Sequence, residues 1–232
     1  MTPTQVLAHA PRPIRRWALH WECEIEEAAA RFAASLPQGS SVLDAGAGEG
    51  QYRHYFDRHR YVGVDLAVGD AKWNYSKLDV VGNLNAIPLA SGAFDAALNI
   101  VTLEHLPDPT LALTEIARVL KPGGRLLLVA PLEWEEHQQP HDFFRYTRFG
   151  LRLLLERAGF THLELCPAGG YFRLLSRRLL NGLQFFMKGP RWILFLPAAF
   201  VFVPLSLVLP LFEWLDRERN FTLGYLCTAR KL

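Results

Sequence analysis

Residues 42–50 read Val-Leu-Asp-Ala-Gly-Ala-Gly-Glu-Gly, and this stretch decides the fold. A short apolar run from Ser41 to Ala45, bounded by turn residues, predicts a buried strand. Glycine at positions 46 and 48 lets the backbone turn tightly and approach a ligand without a Cβ in the way. A helix is expected to follow over residues 51–60. A strand, a glycine turn and a helix in this order are typical of a ligand-binding α/β fold.

The next predicted strand, residues 61–65, ends in a carboxylate. Asp65 follows the glycine turn by about 20 residues, the spacing at which a carboxylate accepts both hydroxyls of a ribose. The pair predicts a cofactor that contains a nucleoside. Gln51 stands where a dinucleotide site prefers glycine, and Asp44 would oppose a pyrophosphate but could pair with the amino group of a methionine moiety. A glycine turn that only connects a strand to a helix is the alternative.

The rest of the chain alternates predicted strands with predicted helices. Further strands are expected at residues 76–81, 94–101, 125–130, 161–166 and 224–230, and helices at 17–36, 110–120 and 148–158. A strong turn, Lys-Pro-Gly-Gly, occupies residues 121–124. This alternation implies a parallel, doubly wound sheet with right-handed crossovers.

Ordered motifs at residues 42–50, 61–65, 82–89, 94–106 and 120–125 together resemble those of the class I S-adenosylmethionine-dependent methyltransferases. The resemblance is greatest to the ubiquinone/menaquinone-biosynthesis type, and it covers roughly residues 40–166 and the last strand. It implies a Rossmann-like, doubly wound sheet of seven strands, mostly parallel, with the last strand antiparallel beside the sixth. It also implies S-adenosyl-L-methionine as the cofactor and methyl transfer as the reaction, with no metal.

The resemblance carries a set of cofactor-binding residues onto this sequence: Asp44, Ala45, Gly46, Gly48, Asp65, Leu66, Asn83, Leu84 and Asn99. Asn83 departs from the aspartate that usually contacts the adenine amino group in this family.

The acceptor is expected at the carboxyl ends of the fourth and fifth strands, where ligands lie in open α/β sheets. The loop of residues 132–147 contains His141, the first candidate for a general base, and His137, the second. Glu104 and the following histidine could instead start a helix. Asp142 and Arg145 could simply pair with each other.

An apolar stretch precedes the last predicted strand. No charged residue occurs from Trp192 to Phe212, a length that would span a bilayer. Prolines at 197, 204 and 210 interrupt helical hydrogen bonding, and a single crossing would separate the last strand from its sheet. We therefore expect an apolar helical insertion, residues 171–215, that lies in the membrane surface with basic residues facing anionic lipid, namely Arg173, Arg177, Arg178, Lys188 and Arg191. A hydrophobic cap over the acceptor site or a dimer interface is the alternative.

Together these features predict a single methyltransferase domain over residues 1–232, with an N-terminal helical lid at 1–36. The formal net charge of +2 is too small to argue for nucleic acid, so none is expected as a partner. Three dispersed cysteines and the lack of a secretory signal favour the cytoplasm, at the inner membrane face. The acceptor is expected to be a small molecule or a lipid-linked one. A nicotinamide-dependent oxidoreductase and a non-catalytic binding module are the rival functions.

Overall fold

The computed structural model describes residues 11–69, 72–187 and 189–232, and it contains one mixed sheet. Seven strands are found within these residues: β1 (Ser41–Ala45), β2 (Arg60–Asp65), β3 (Val80–Val81), β4 (Phe94–Ile100), β5 (Leu120–Pro131), β6 (Phe160–Pro167) and β7 (Gly224–Lys231). Their spatial order is β3-β2-β1-β4-β5-β7-β6. Strand order reverses at β1 and β4, and this is the point where a doubly wound sheet opens a crevice at its carboxyl edge.

The pairing of the strands confirms the predicted fold class. β1 pairs in parallel with both β2 and β4, and β4 pairs in parallel with β5. β7 runs antiparallel to β5 and lies between β5 and β6. The chain thus leaves the sheet at the end of β6 and returns to the same sheet at Gly224.

Six α-helices occur among the described residues: α1 (Arg12–Ala18), α2 (His20–Ala34), α3 (Pro109–Val119), α4 (Arg148–Arg157), α5 (Tyr171–Gly182) and α6 (Phe195–Val208). Two of them begin with side-chain caps. Asp108 accepts from the Leu111 N–H at the start of α3, and Thr147 accepts from the Gly150 N–H at the start of α4. Such caps satisfy donors that have no partner within the helix.

The core forms where the sheet meets its helices. Leu126, Leu128 and Ala130 of β5 are fully buried, as expected for a strand that is covered on both faces. Leu113 and Ile116 of α3 belong to the same hydrophobic cluster. This burial fixes the strands whose carboxyl ends carry the predicted site.

Four sequence-based predictions of local structure were wrong. The helix expected over residues 51–60 is only a 3₁₀ turn, Arg53–Phe56. The glycine turn consumes much of the short connection between β1 and β2, and Gly50 itself has φ 73°. The bonds Arg53 N–H to Gly50 O and Tyr55 N–H to Tyr52 O both span three residues, which is the 3₁₀ pattern.

The other three differences concern element boundaries. The strand expected at residues 76–81 shrinks to β3, because Tyr75–Lys77 forms a 3₁₀ turn capped by Asn74. The turn at residues 121–124 is absorbed into β5, and the pairing of β4 with β5 shifts register there. The helix expected at 17–36 is two helices, which meet at Leu19.

The chain divides into two compact units. The sheet unit comprises Ile25–Cys166 with Gly224–Leu232, and the helical unit comprises Met1–Glu24 with Pro167–Leu223. The sequence predicts a single domain with an insertion at 171–215, and those boundaries stay a prediction. Residues 1–10 of the predicted lid and Lys188 of the predicted basic set lie outside the described residues.

Candidate active site

The glycine turn follows β1 at the point where strand order reverses. Gly46 and Gly48 have φ values of 95° and 52°, in the left-handed region that favours glycine. The N–H groups of Gly46 and Ala47 both donate to the Val64 carbonyl, at 2.8 and 3.1 Å. A Cβ on Gly46 would lie 2.3 Å from the Thr102 side chain. Glycine is therefore required at position 46 by its close approach to the loop after β4.

Asp65 lies at the end of β2 and holds the glycine turn in place. One of its carboxylate oxygens accepts from the Gly48 N–H at 3.0 Å, and the other accepts from the Ala67 N–H at 2.8 Å. A carboxylate offers about four acceptor positions, so each oxygen keeps one for another donor. The residue is thus oriented by the backbone and still able to accept both hydroxyls of a ribose. These residues fit the nucleoside end of the predicted cofactor.

Asp44 lies beneath the turn rather than on its surface. Its side chain is 1% exposed, and its Oδ2 accepts from the Tyr61 hydroxyl at 2.5 Å. Burial raises the pKa of Asp44 to about 7, with the bond from Tyr61 acting in the opposite direction. The Arg53 guanidinium stacks 4.4 Å from the centre of the Tyr61 ring. The sequence gave no sign of this Tyr61 partner, because it reads as an ordinary strand residue.

The remaining predicted cofactor residues follow the ends of neighbouring strands. Asn99 of β4 is fully buried, donates from Nδ2 to the Ala45 carbonyl at 2.8 Å, and leaves its Oδ1 without a hydrogen bond among the described residues. Asn83 follows β3 and accepts from the Asn85 N–H, while the next residue, Leu84, is buried. Leu66 follows β2 and is half-exposed. All of these residues lie at the carboxyl edge of β1–β4.

One aromatic side chain near the turn was missed by sequence reasoning. Trp73 lies in the irregular loop after β2, and its ring is 3.4 Å from where a Cβ on Gly48 would lie. It also approaches Gly69, whose N–H donates to the Tyr75 hydroxyl at 2.8 Å. The loop has no motif or periodicity, so nothing in the sequence linked Trp73 to the glycine turn.

A second polar cluster lies after β4 and β5, where the acceptor is expected. Glu104 has 0% exposure, and both of its carboxylate oxygens lack a hydrogen-bond partner among the described residues. Burial raises the pKa of Glu104 to about 8. His105 Nε2 lies 3.8 Å from Glu104 Oε1, and the centre of the His105 ring is 4.7 Å from that of His137.

The two histidines proposed as bases have different surroundings. The His137 ring joins the Glu104 cluster, whereas the exposed His141 ring meets Phe143 edge-on, with ring centres 6.4 Å apart. His141 contributes to the cluster through its backbone, because its carbonyl oxygen contacts His105 Nδ1 at 2.5 Å. The structure therefore brings the His137 side chain, but not that of His141, to Glu104.

The alternative roles considered for this loop can be compared with the structure. Arg145 donates two bonds to Asp142, at 2.6 and 2.8 Å, so the pairing of these residues within the loop is confirmed. The hydrogen bonds from Arg145 lower the pKa of Asp142 to about 2. Glu104 and His105 lie in a 3₁₀ turn, Leu103–His105, and the α-helix that follows is started by Asp108 instead.

Comparison with known proteins supports this assignment of the site. Residues 43–128 match the family described as methyltransferase domain. A probable S-adenosylmethionine-dependent methyltransferase of Mycolicibacterium smegmatis is 34% identical over 99 residues, which cover 40% of this chain and 38% of that protein. A tRNA (carboxymethyluridine(34)-5-O)-methyltransferase of Arabidopsis thaliana is 34% identical over 115 residues, covering 47% of this chain and 28% of that protein. The chain thus spans less than half the length of these relatives.

Solved structures agree on the fold. A Burkholderia thailandensis 1,6-didemethyltoxoflavin-N1-methyltransferase with S-adenosylhomocysteine bound superposes with a TM-score of 0.52 at 22% identity, covering 94% of this chain and 84% of that one. The matched family implies S-adenosylmethionine as the cofactor, and the ubiquinone-type subfamily remains a prediction. The glycine turn, Asp65, the strand order and the match over residues 43–128 together identify the chain as a class I S-adenosylmethionine-dependent methyltransferase.

Proposed function

We propose that this chain methylates a lipid-linked or other amphiphilic acceptor at a membrane surface, as a cytoplasmic enzyme peripheral to the inner face of the membrane. The observation that carries the proposal is a large exposed apolar surface in the helical unit. Among the described residues, one helical segment, Gly189–Leu215, is long and apolar enough to cross a membrane, and only 6% of its most apolar window is buried.

The sheet unit supplies the cofactor part of this function. S-adenosylmethionine, when bound, supplies an electrophilic methyl group on a sulfonium. The turn at Gly46–Gly48 would hold the amino-acid end of the cofactor, and Asp65 would hold the ribose. Asp44, buried beneath the turn, would favour a cationic amino group above it. These residues act by binding and orienting, which are the main contributions a protein makes to a displacement of this kind.

The loops after β4 and β5 would receive the acceptor. A base is needed there only if the acceptor carries a proton that must leave. His137 is better placed than His141 for this role, since its ring lies with Glu104 and His105 at the carboxyl edge of the sheet. His141 would serve by fixing the orientation of His105 through its backbone carbonyl.

The exposed apolar segment has the composition of a membrane-binding element. It contains the 3₁₀ segment Gly189–Leu194, helix α6 and the 3₁₀ segment Leu209–Leu215. Its large apolar side chains are exposed along its length, among them Trp192, Leu196, Phe200, Leu211 and Trp214. Soluble monomeric proteins rarely expose an apolar surface of this extent without a binding partner.

The connections of the segment favour a surface position over a span. Because β6 and β7 belong to one sheet, the chain must leave and re-enter on the same side of any bilayer. Helix α6 has 14 residues, about 21 Å of α-helix, which is less than the roughly 30 Å hydrocarbon core. Pro204 lies inside α6 and Pro210 directly follows Leu209, so a continuous straight helix is also disfavoured. A shallow or re-entrant element fits both constraints.

A second candidate acceptor is RNA, since one relative is named as a tRNA methyltransferase. The shared residues cover about half of this chain, and the apolar segment Gly189–Leu215 lies outside the matched family region, residues 43–128. The two candidates therefore differ in which part of the chain would recognise the acceptor.

The cofactor site is tested by binding of S-adenosylhomocysteine. Asp65→Ala should weaken binding at least about tenfold, because hydrogen bonds to a charged group contribute about 1.5–3 kcal/mol. Asp57→Ala, an exposed aspartate before β2, is the matched control and should bind as the parent does. NAD titrated in parallel should not bind. Unchanged affinity in Asp65→Ala, or tight NAD binding alone, would refute the assignment of this pocket.

The acceptor class is tested with S-adenosylmethionine carrying a labelled methyl group. The purified chain is incubated with a cell lysate separated into lipid, small-molecule and RNA fractions. We expect label in the lipid fraction. Label only in the RNA fraction would favour the tRNA-like function, and label only in the aqueous small-molecule fraction would exclude a lipid-linked acceptor.

A further inference from the structure

The cluster of Glu104, His105 and His137 has the composition of a metal site that the sequence did not predict. One potential ligand atom from each of these residues lies within 4.8 Å of the other two. We infer that this cluster binds one divalent transition-metal ion, in contrast to the metal-free site expected from the sequence. Binding itself is independent of the proposed methyl transfer, and only a role for the ion in activating an acceptor would rest on it.

The buried carboxylate is the strongest reason for this inference. Glu104 is completely buried, yet neither of its oxygens accepts a hydrogen bond from any described residue. A buried carboxylate without donors is normally paired with a cation or coordinates a metal. Arg145, the nearby cation, uses its guanidinium on Asp142 and on backbone carbonyls, including that of Trp134. Glu104 thus has an unmet need for positive charge.

The geometry of His105 is that of an oriented ligand. Its Nδ1 lies 2.5 Å from the His141 carbonyl oxygen, so this nitrogen carries the proton and donates it. The other ring nitrogen, Nε2, is buried, has no hydrogen-bond partner among the described residues and faces Glu104 Oε1 at 3.8 Å. A histidine held through one nitrogen by a backbone carbonyl, with the other nitrogen free, is the usual arrangement beside a protein-bound metal.

The backbone around the cluster is also fixed. The N–H groups of Phe143 and Phe144 donate to the Glu104 carbonyl, and the Tyr146 hydroxyl donates to the Leu103 carbonyl at 2.9 Å. The His137 N–H donates to Asp142 Oδ2 at 2.9 Å. The two loops that carry the ligands are therefore tied together before any ion binds.

The ligand set indicates the class of ion. Two imidazoles and one carboxylate suit Zn²⁺, Fe²⁺ or Co²⁺, whereas Mg²⁺ and Ca²⁺ prefer oxygen ligands. Ligand bonds of about 2.0–2.2 Å place ligand atoms roughly 3–4 Å apart, so the present spacing would contract by about an ångström on binding. Three protein ligands leave a position open for water or for an oxygen of another molecule.

Co²⁺ and Zn²⁺ are the probes that test the site. Untagged protein is stripped with a chelator, and Co²⁺ binding is followed by visible absorption and Zn²⁺ retention by elemental analysis after dialysis. We expect one ion per chain. Glu104→Gln and His137→Ala should each weaken Co²⁺ binding at least about 100-fold, while His162→Ala, an exposed histidine on β6, should leave it unchanged.

Two results would overturn the proposal. The parent protein could bind no ion, or the Glu104 and His137 variants could bind it as tightly as the parent does. Far-ultraviolet circular dichroism establishes that each variant is folded, and the near-isosteric Glu104→Gln guards against a folding failure of His137→Ala. S-adenosylhomocysteine binding is measured on the same samples, so that a chain that binds this ligand but no metal refutes the metal site alone.

Discussion

The sheet unit and the helical unit place their polar and apolar residues in opposite ways. In the sheet unit, Asp44 and Glu104 are 1% and 0% exposed, in the midst of buried strands and loops. In the helical unit, Phe200 is 82% exposed and Leu196 is 72% exposed. Buried carboxylates and extended apolar surfaces are the two departures from ordinary burial that carry information about function.

Both departures cost free energy unless another component compensates for them. A buried carboxylate is stabilised by a cation or by donors, and an exposed apolar surface is stabilised by removal from water. In the sheet unit the compensating partners would be a cationic cofactor near Asp44 and a metal ion at Glu104. In the helical unit it would be the lipid bilayer. The comparison thus predicts different ligands for the two units.

The largest expected effect comes from placing charge on the apolar surface. The double variant Leu196→Glu with Phe200→Glu should bind anionic liposomes more than about 1,000-fold more weakly than the parent, because it removes two buried apolar groups and inserts two charges. Sedimentation with liposomes of phosphatidylglycerol and phosphatidylcholine measures this.

The matched control is Phe149→Glu in the sheet unit, where Phe149 is 76% exposed on α4. A single exposed aromatic residue is ordinary, so this variant should bind liposomes as the parent does. Equal sedimentation of the double variant and the parent, or absence of sedimentation for both, would refute membrane binding and favour a cap or a dimer interface.

Most of the sheet could be predicted from the sequence because its strands are short, apolar and bounded by turn residues. β1 has the predicted bounds, and β4, β6 and β7 differ from them by one or two residues. The prediction was wrong for residues 51–60 because helical propensity was weighed without the length of the connection. A glycine turn that ends at Gly50, with positive φ, leaves too few residues for an α-helix before β2.

The candidate site could be predicted only as far as local motifs reach. The contact of Asp65 with the glycine turn follows from strand ends that meet at one edge of the sheet. The Tyr61 hydroxyl on Asp44, the Trp73 ring beside Gly48 and the complete burial of Glu104 depend on contacts between distant segments. No pattern in a single sequence encodes these contacts.

The second prediction concerns the buried carboxylate Asp44. Its pKa in the folded state is raised from 3.8 to about 7, so its contribution to stability is complete below about pH 4 and is lost as the pH rises to 7. Asn at this position stays neutral and can still accept from the Tyr61 hydroxyl. The free energy of unfolding of Asp44→Asn, relative to that of the parent, should therefore rise between pH 4 and pH 8 by up to about 4 kcal/mol.

Denaturant unfolding at several pH values, without cofactor, measures this difference. Titrations of other groups occur in both proteins and cancel in the comparison. Asp57→Asn, an exposed aspartate, should show no such trend relative to the parent. A constant difference between Asp44→Asn and the parent across this range would mean that Asp44 is not a buried, protonatable group.

The smallest expected effect tests the one buried polar contact between α5 and α6. Ser206 is 1% exposed, and its carbonyl accepts from the Ser176 hydroxyl at 2.6 Å. Pro210, four residues further on, has no N–H to donate to this carbonyl, so the Ser176 hydroxyl takes that place. Ser176→Ala should leave a buried carbonyl unsatisfied and cost about 1–2 kcal/mol of the free energy of unfolding. Thr114→Ala, which removes an exposed bond of the same kind on α3, should cost less than about 0.5 kcal/mol. Equal costs for the two variants would indicate that α6 does not pack against α5 as described, and the apolar surface would then have to be redrawn.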